Sequence, residues 1–225
     1  MATTMLSLAR WRSRRSAAVA GVLFAVLLML AMTMIRLALG DADPNLLRSD
    51  PGRLRMISIG LHLVPFAGIA FLWFIGVVRE QVGAVEDRLF SSVFLGSGLL
   101  FLAMLFIGSV NTASLMTVLA RTELDGRIWE FERTTTQNLI SVYAMRMAAV
   151  FTLSVSTLGL RTGGFPRWIS LVGYACAVVL LVAGGEHRWA QLAFPAWILL
   201  LSLAIIREPK AARPARPAGP VDVPG

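Results

Sequence analysis

The sequence predicts an all-α fold, a polytopic bundle of six transmembrane helices. Of the 225 residues, 56% are hydrophobic and 15% are charged, whereas about 25% of the residues in an ordinary soluble domain are charged. The charged residues cluster between apolar runs of about 20 residues, the length with which a helix crosses a bilayer core. These runs lack the alternating pattern of barrel strands, so helices are needed to satisfy the backbone within lipid.

Six apolar runs define a transmembrane domain over residues 17–206. The third run is too long for a simple crossing, because the chain carries no charge from Leu89 to Ala120. We expect it to tilt, to project beyond the bilayer or to break near Asn111 and Thr112. The short link 184–188 makes the last two runs a helical hairpin. The runs lie at about 17–39, 56–78, 90–118, 137–160, 168–184 and 189–206.

The distribution of basic residues predicts the orientation of the bundle. Residues 1–16 form a basic segment, and residues 207–225 form a basic tail, rich in Pro and Ala, that is expected to be disordered. With both termini in the cytoplasm, twelve Lys and Arg residues lie inside and seven outside. The opposite orientation reverses this bias and contradicts the positive-inside rule. We therefore expect cytoplasmic N- and C-termini.

Two further segments leave alternatives open. The apolar stretch from Ala17 to Ile35 has 19 residues, more than the usual 7–15 of a signal peptide, so we expect the first helix to stay in the protein. Its cleavage would leave five spans. The outer loop 121–136 carries Trp129 and Phe131 among acidic residues, a pattern typical of an interfacial aromatic anchor. A recognition surface is the alternative.

Charge and cysteine content restrict the possible partners. The formal net charge of +8 lies beside the apolar runs and in the two termini, where it favours contact with the bilayer and its anionic lipids. No nucleic-acid-binding motif accompanies the charge, so no nucleic-acid partner is expected. With Cys176 as the only cysteine and two histidines in the chain, we expect neither a metal site nor a cofactor. A membrane-protein partner or a homo-oligomer remains open.

Arg146 is the first candidate for a ligand contact, because it lies inside the fourth apolar run. A charge within the bilayer costs at least ~2.5 kcal/mol on insertion scales and usually faces a bundle interior or a wet cavity. The six predicted spans contain no Asp or Glu to pair with it. The alternative is structural: Arg146 reaches the headgroups or bonds to helix carbonyls.

Further polar residues fall in the same half of the predicted membrane. Tyr143 precedes Arg146 by three residues and shares its helix face. His62 lies in the second run, and Asn111 and Thr112 lie in the third. Together these residues predict either a polar pocket or a set of interhelical hydrogen bonds.

Catalytic signatures do not occur in this sequence. It contains no HExxH, no phosphate-binding GxxxxGK[ST] and no GxSxG, so we predict no catalytic residues and consider an enzyme the less favoured interpretation. The leading hypothesis is a non-enzymatic accessory protein or a binder of lipid or small molecules. The alternative is a small transporter or channel component with an outward-facing polar site around Arg146 and His62.

Four segments resemble a group of uncharacterised small multipass membrane proteins from actinobacteria. They are residues 62–79 (HLVPFAGIAFLWFIGVVR), 86–90 (EDRLF), 143–151 (YAMRMAAVF) and 164–168 (GFPRW). The resemblance covers about residues 56–183. It implies a bacterial plasma-membrane location and a six-helix bundle, but no activity.

Overall fold

A computed structural model describes residues 2–40, 43–82, 88–121, 125–163, 166–185, 187 and 189–207. Apart from Arg207, the predicted C-terminal tail lies outside these residues. The helices of this part of the chain are α1 (Ala2–Leu39), α2 (Pro44–Ser49), α3 (Pro51–Val82), α4 (Arg88–Arg121), α5 (Gly126–Asn138), α6 (Met145–Thr162), α7 (Arg167–Val182) and α8 (Ala193–Arg207). A π-helical turn (Leu139–Ala144) joins α5 to α6, and a 3₁₀ turn (Ala190–Leu192) leads into α8.

The predicted all-α bundle is confirmed, and the chain is a multipass membrane protein. Five segments are long and apolar enough to cross a membrane. α7 is also apolar but has 16 residues, which span about 24 Å against a core of about 30 Å. The six predicted runs thus correspond to five long helices and one shorter one. The five long segments are Ala18–Leu39, Pro51–Arg79, Ser91–Arg121, Gly126–Thr162 and Ala190–Arg207.

α7 packs against both of its neighbours in sequence. The Thr157 Oγ1 atom of α6 lies 2.7 Å from the Tyr174 hydroxyl of α7. The Trp197 Nε1–H of α8 donates to the Ile169 carbonyl of α7 at 3.2 Å. The short helix is therefore held within the bundle by polar contacts as well as by apolar packing.

α4 runs through the overlong third apolar run without a break. Its 34 residues reach about 51 Å, so the helix must tilt or project beyond a bilayer core of about 30 Å. Thr112 does not interrupt it, because the side-chain hydroxyl donates to the Gly108 carbonyl of the same helix at 2.8 Å. Of the three expected outcomes, a break near Asn111 and Thr112 is excluded.

The segment predicted as an outer loop is largely helical. α5 begins after Asp125, whose side chain accepts a hydrogen bond from the Arg127 backbone N–H at 2.9 Å and so caps the helix. Trp129 is 3% exposed and packs with Leu47, Ile57 and other apolar residues of α1 to α4. The expected lipid-interface anchor is wrong for Trp129, since its ring lies in the protein interior.

α1 and α4 end where α3 and α5 begin, and we call this end of the bundle the α5 end. The link after α7 returns to it, because a Cβ on Gly184 would lie 3.3 Å from the Ser141 carbonyl of the π-helical turn. The opposite end carries Gly163, which ends α6 in the left-handed conformation (φ 64°). We call the five long segments and α7 the six rods of the described part of the chain, and all of them run between the same two ends.

A cluster of phenylalanine rings fills the centre of the bundle. Phe71 of α3 is its hub, with ring centroids 4.5 Å from Phe24 and 5.1 Å from Phe151. Tilted and edge-to-face arrangements at these distances are favourable for aromatic pairs. The rings come from five helices, so the cluster locks α1, α3, α4, α6 and α8 to one another. Its buried members are Phe24, Phe71, Phe74, Phe94, Phe101, Phe151 and Phe194.

Two glycines allow α1 to approach its neighbours closely. A Cβ added to Gly21 would lie 2.1 Å from the Ser202 Oγ of α8, and one added to Gly60 of α3 would lie 3.1 Å from the Ala31 carbonyl of α1. Both distances are shorter than ordinary contact, so a larger residue would separate the helices. α1 therefore runs between α3 and α8 with little space on either side.

Candidate functional site

A cavity of about 190 Å³ lies at the α5 end of the bundle. Its deep part, formed by α1, α3 and α4, is mainly apolar, whereas its charged and amide-bearing side chains lie nearer the α5 end, where Leu115 also lines the cavity. The apolar lining includes Leu28, Met32, Leu61, Val64, Leu105 and Leu115. The polar lining includes Arg36, Ser109, Thr112, Arg133, Ser141, His187 and Gln191.

The phenylalanine cluster closes the deep side of the cavity. Leu28 and Leu105 line the cavity, and one helical turn further down their helices Phe24 and Phe101 enter the cluster, with ring centroids 6.4 Å apart. Both rings are fully buried. The cavity is therefore closed on its deep side and does not continue through the bundle.

Arg36, Gln191 and Ser141 form a chain of hydrogen bonds across three rods. The Arg36 Nη2–H donates to the Gln191 side-chain oxygen, and the Gln191 Nε2–H donates to the Ser141 hydroxyl. Gln191 is 3% exposed. A buried amide with both ends engaged has a fixed orientation, so Gln191 holds the Arg36 guanidinium at the polar wall.

Arg133 reaches the same wall from α5. Its Nη2–H donates to the Gly40 carbonyl at the end of α1, and the Gly40 N–H donates to the Arg36 carbonyl at 2.9 Å. A cation at a helix C-terminus is favoured by the helix dipole and satisfies a terminal carbonyl. Arg133 thus fixes the last turn of α1, which carries Arg36.

The π-helical turn Leu139–Ala144 gives Ser141 its position. The Met145 N–H donates to the Ile140 carbonyl five residues earlier, one residue more than in an α-helix. Such a turn rotates α5 by about 100° relative to α6 compared with a continuous α-helix, and π-turns occur often at functional sites. Both Ile140 and Ser141 line the cavity.

Of the five residues predicted from the sequence, Thr112 lines the cavity. Arg146 and His62 are exposed on the outside of the bundle, and Tyr143 is 57% exposed. The His62 Nδ1–H donates to the Ser58 carbonyl at 2.6 Å. Asn111 is half-buried, and Thr112 is buried and is the member of this set that lines the cavity. A ligand contact for the other four stays a prediction.

The residues that form the polar wall were missed for identifiable reasons. Arg36 lies near the end of the first apolar run, where an arginine reaches water easily, so its position did not suggest a buried site. Gln191 and Ser141 are ordinary polar residues near the ends of other runs. Arg36 does carry a sequence signal, because it is an arginine inside an apolar run. The same feature made Arg146 a candidate.

The cavity is suited to binding an anionic or hydrogen-bond-accepting group. Its polar wall contains two guanidinium groups, an amide and hydroxyls, and the described lining residues include no Asp or Glu. No group of three or more His, Cys, Asp or Glu side chains that could hold a metal ion occurs among the described residues. Cys176 is buried in α7 and does not belong to this lining.

Comparisons of this chain with protein-family models, curated proteins and solved structures find no match.

Proposed function

We propose that this multipass membrane protein is a non-enzymatic binder of a lipid or small molecule, and that the cavity at the α5 end is its binding site. The main support for this proposal is the cavity itself, which has a mainly apolar deep part and polar side chains around Arg36. An apolar cavity of about 150 Å³ in a protein core binds benzene. A volume of about 190 Å³ therefore suits a molecule somewhat larger than benzene, or one part of a lipid.

The proposed location is a bacterial plasma membrane with both termini in the cytoplasm. The ratio of twelve inner to seven outer basic residues supports this orientation, and the resemblance to actinobacterial membrane proteins supports the location. In this orientation the α5 end faces outward, so the cavity is reached from outside the cell.

Retention of a bound molecule tests the binding function. Ser109 lines the cavity, and its hydroxyl donates to the Leu105 carbonyl of its own helix at 2.8 Å, so S109F fills the cavity and removes no bond between helices. Ser114 is exposed on the same helix, and S114F is the matched control. After purification in mild detergent, mass spectrometry should find a stoichiometric lipid or small molecule in wild type and S114F but not in S109F.

Equal retention by all three folded proteins, or by none, would contradict the proposal. A stoichiometric protein in place of the molecule would favour the accessory-subunit hypothesis instead.

The alternative function, a small transporter or channel component around Arg146 and His62, ranks second. Both side chains are exposed outside the bundle, and the phenylalanine rings fill the route that a substrate would take. Movement of a substrate across proteoliposomes that R146A abolishes, while expression and helicity persist, would favour it.

A further inference from the structure

The polar wall of the cavity lies at the level of one membrane surface. Ser16 and Arg36 are 20 residues apart along α1. Ser141 and Arg161 are also 20 residues apart, along the rod that contains α6. Each distance is about 30 Å, which equals the thickness of the hydrocarbon core. Basic residues at the opposite end of the bundle mark the other membrane surface on both rods. Each rod therefore independently places its residue, Arg36 or Ser141, at the depth of the lipid headgroups.

The apolar wall lies below that surface, within the depth of the hydrocarbon. Leu28 precedes Arg36 by eight residues, which is about 12 Å along the helix, and it lines the deep part of the cavity. The cavity thus repeats the polarity of one lipid leaflet, with a cationic group at headgroup depth and an apolar pocket beneath it. A bound molecule gains most when its charged end lies at Arg36 and its apolar body points toward the phenylalanine cluster.

We propose, on the basis of the binding function above, that the ligand is an amphipathic oxyanion whose phosphate or similar anionic oxygens contact Arg36. Guanidinium groups bind such oxygens through charge-assisted, often bidentate hydrogen bonds. A water-soluble alkyl phosphate and the headgroup of an anionic lipid share this chemistry. Gln191 is a positioning residue, because it orients the guanidinium through its own hydrogen bonds to Arg36 and Ser141.

Arg36 and Arg146 provide a matched pair for the test. Both arginines lie in apolar helices, but Arg36 lines the cavity and Arg146 is exposed outside the bundle. R36Q and R146Q remove the same charge, so a general electrostatic attraction to the protein weakens equally in both. Only a contact inside the cavity distinguishes them.

The variant Q191E distinguishes the position of the Arg36 guanidinium from its charge. Glutamate has the same shape as glutamine and accepts the same hydrogen bond from Arg36, but it neutralises the guanidinium from within the protein. We expect Q191E to keep the fold and to lose anion binding, because its carboxylate neutralises the guanidinium and repels the ligand's anionic oxygens. A purely structural role for Arg36 predicts unchanged binding in Q191E.

The experiment uses the full chain in nanodiscs of phosphatidylcholine. Hexyl phosphate is titrated as the soluble probe, inorganic phosphate as the probe without an apolar body, and phosphatidylglycerol as the lipid probe. We expect saturable binding of hexyl phosphate or retention of phosphatidylglycerol, with about tenfold or greater weakening in R36Q and Q191E and no change in R146Q. Binding of hexyl phosphate identifies a soluble source of the anion, and retention of phosphatidylglycerol alone identifies a lipid source.

Three results would overturn the proposal. The first is no saturable binding of any of these probes to wild type. The second is equal weakening in R36Q and R146Q. The third is a retained molecule that S109F loses and R36Q keeps; the binding function then stands and the anionic class of the ligand is wrong.

Discussion

Replacing Gly21 by alanine should destabilise the bundle at the contact between α1 and α8. The added Cβ would lie 2.1 Å from the Ser202 Oγ and 2.9 Å from the Phe74 Cδ2 atom, whereas ordinary contact begins at 3.4 Å. Rotation of the Ser202 hydroxyl relieves only part of the first overlap, and the Phe74 ring belongs to the central cluster and has little space to move. Overpacking of this kind costs about 1–3 kcal/mol.

The adjacent helix α3 provides a control variant that is expected to increase the free energy of unfolding. A Cβ added to Gly76 meets no atom within 4 Å, so G76A gains about 0.5–1 kcal/mol from the better helix propensity of alanine. S202A removes a buried hydroxyl that has no hydrogen-bond partner among the described residues, so this change alone should be nearly neutral. The double variant G21A/S202A should recover part of the loss, and Phe74 accounts for the remainder.

The free energy of unfolding is measured by denaturation with sodium dodecyl sulfate in detergent micelles, followed by far-ultraviolet circular dichroism. α1 carries Arg36, and the turn leading into α8 carries Gln191. A separation of these helices at Gly21 should therefore also weaken binding of hexyl phosphate. Equal stability of G21A and G76A, or a loss in G21A that S202A does not change, would refute the packing argument.

Two further predictions concern α5 and the orientation of the bundle. W129A should lose about 3–5 kcal/mol, because Trp129 is 3% exposed, whereas F131A should change stability little, because Phe131 is 67% exposed; equal losses in denaturant titrations would contradict this assignment of helix faces. In a background with Cys176 replaced by alanine, N45C should react with an impermeant maleimide added to whole cells, and T162C should react only after lysis. Reaction of T162C from outside would reverse the proposed topology.

The apolar runs were sufficient to predict the fold class because the bilayer imposes its own length on a helix. Runs of about 20 residues between charged patches have one structural solution in lipid, and the structure contains helices at each of the six. The helix ends were less predictable. α3 begins at Pro51 and α4 extends to Arg121, since polar residues beyond the hydrocarbon core continue a helix when other helix ends pack against them.

α5 shows where the sequence pattern failed. Its acidic and aromatic residues are typical of a membrane-surface loop, and the pattern carries no information about which face of a helix is buried. Trp129 and Phe131 are two residues apart, about 200° around a helix, so one ring enters the protein and the other leaves it. The ends of α1 to α4 decide which ring is buried, and their arrangement is a property of the assembled bundle.

The candidate site depended on tertiary structure to a greater degree. Arg36, Ser141 and Gln191 are separated by 50 or more residues along the chain, and no motif links them. The rotation introduced by the π-helical turn and the close approach of α1 to α8 at Gly21 bring them together. Arg146 has the stronger sequence signal, yet its side chain lies on the outer surface, because hydropathy does not reveal the direction in which a helical side chain points.

The sequence by itself determined that this chain crosses a membrane several times as helices, and its charge bias predicted which ends are cytoplasmic. Both conclusions follow from the transfer of residues between water and lipid, which depends on composition along the chain. Only the tertiary structure decided which arginine lines a cavity and that the phenylalanine rings close its deep side. These features depend on helix rotation and packing, which are set by contacts between residues distant in sequence.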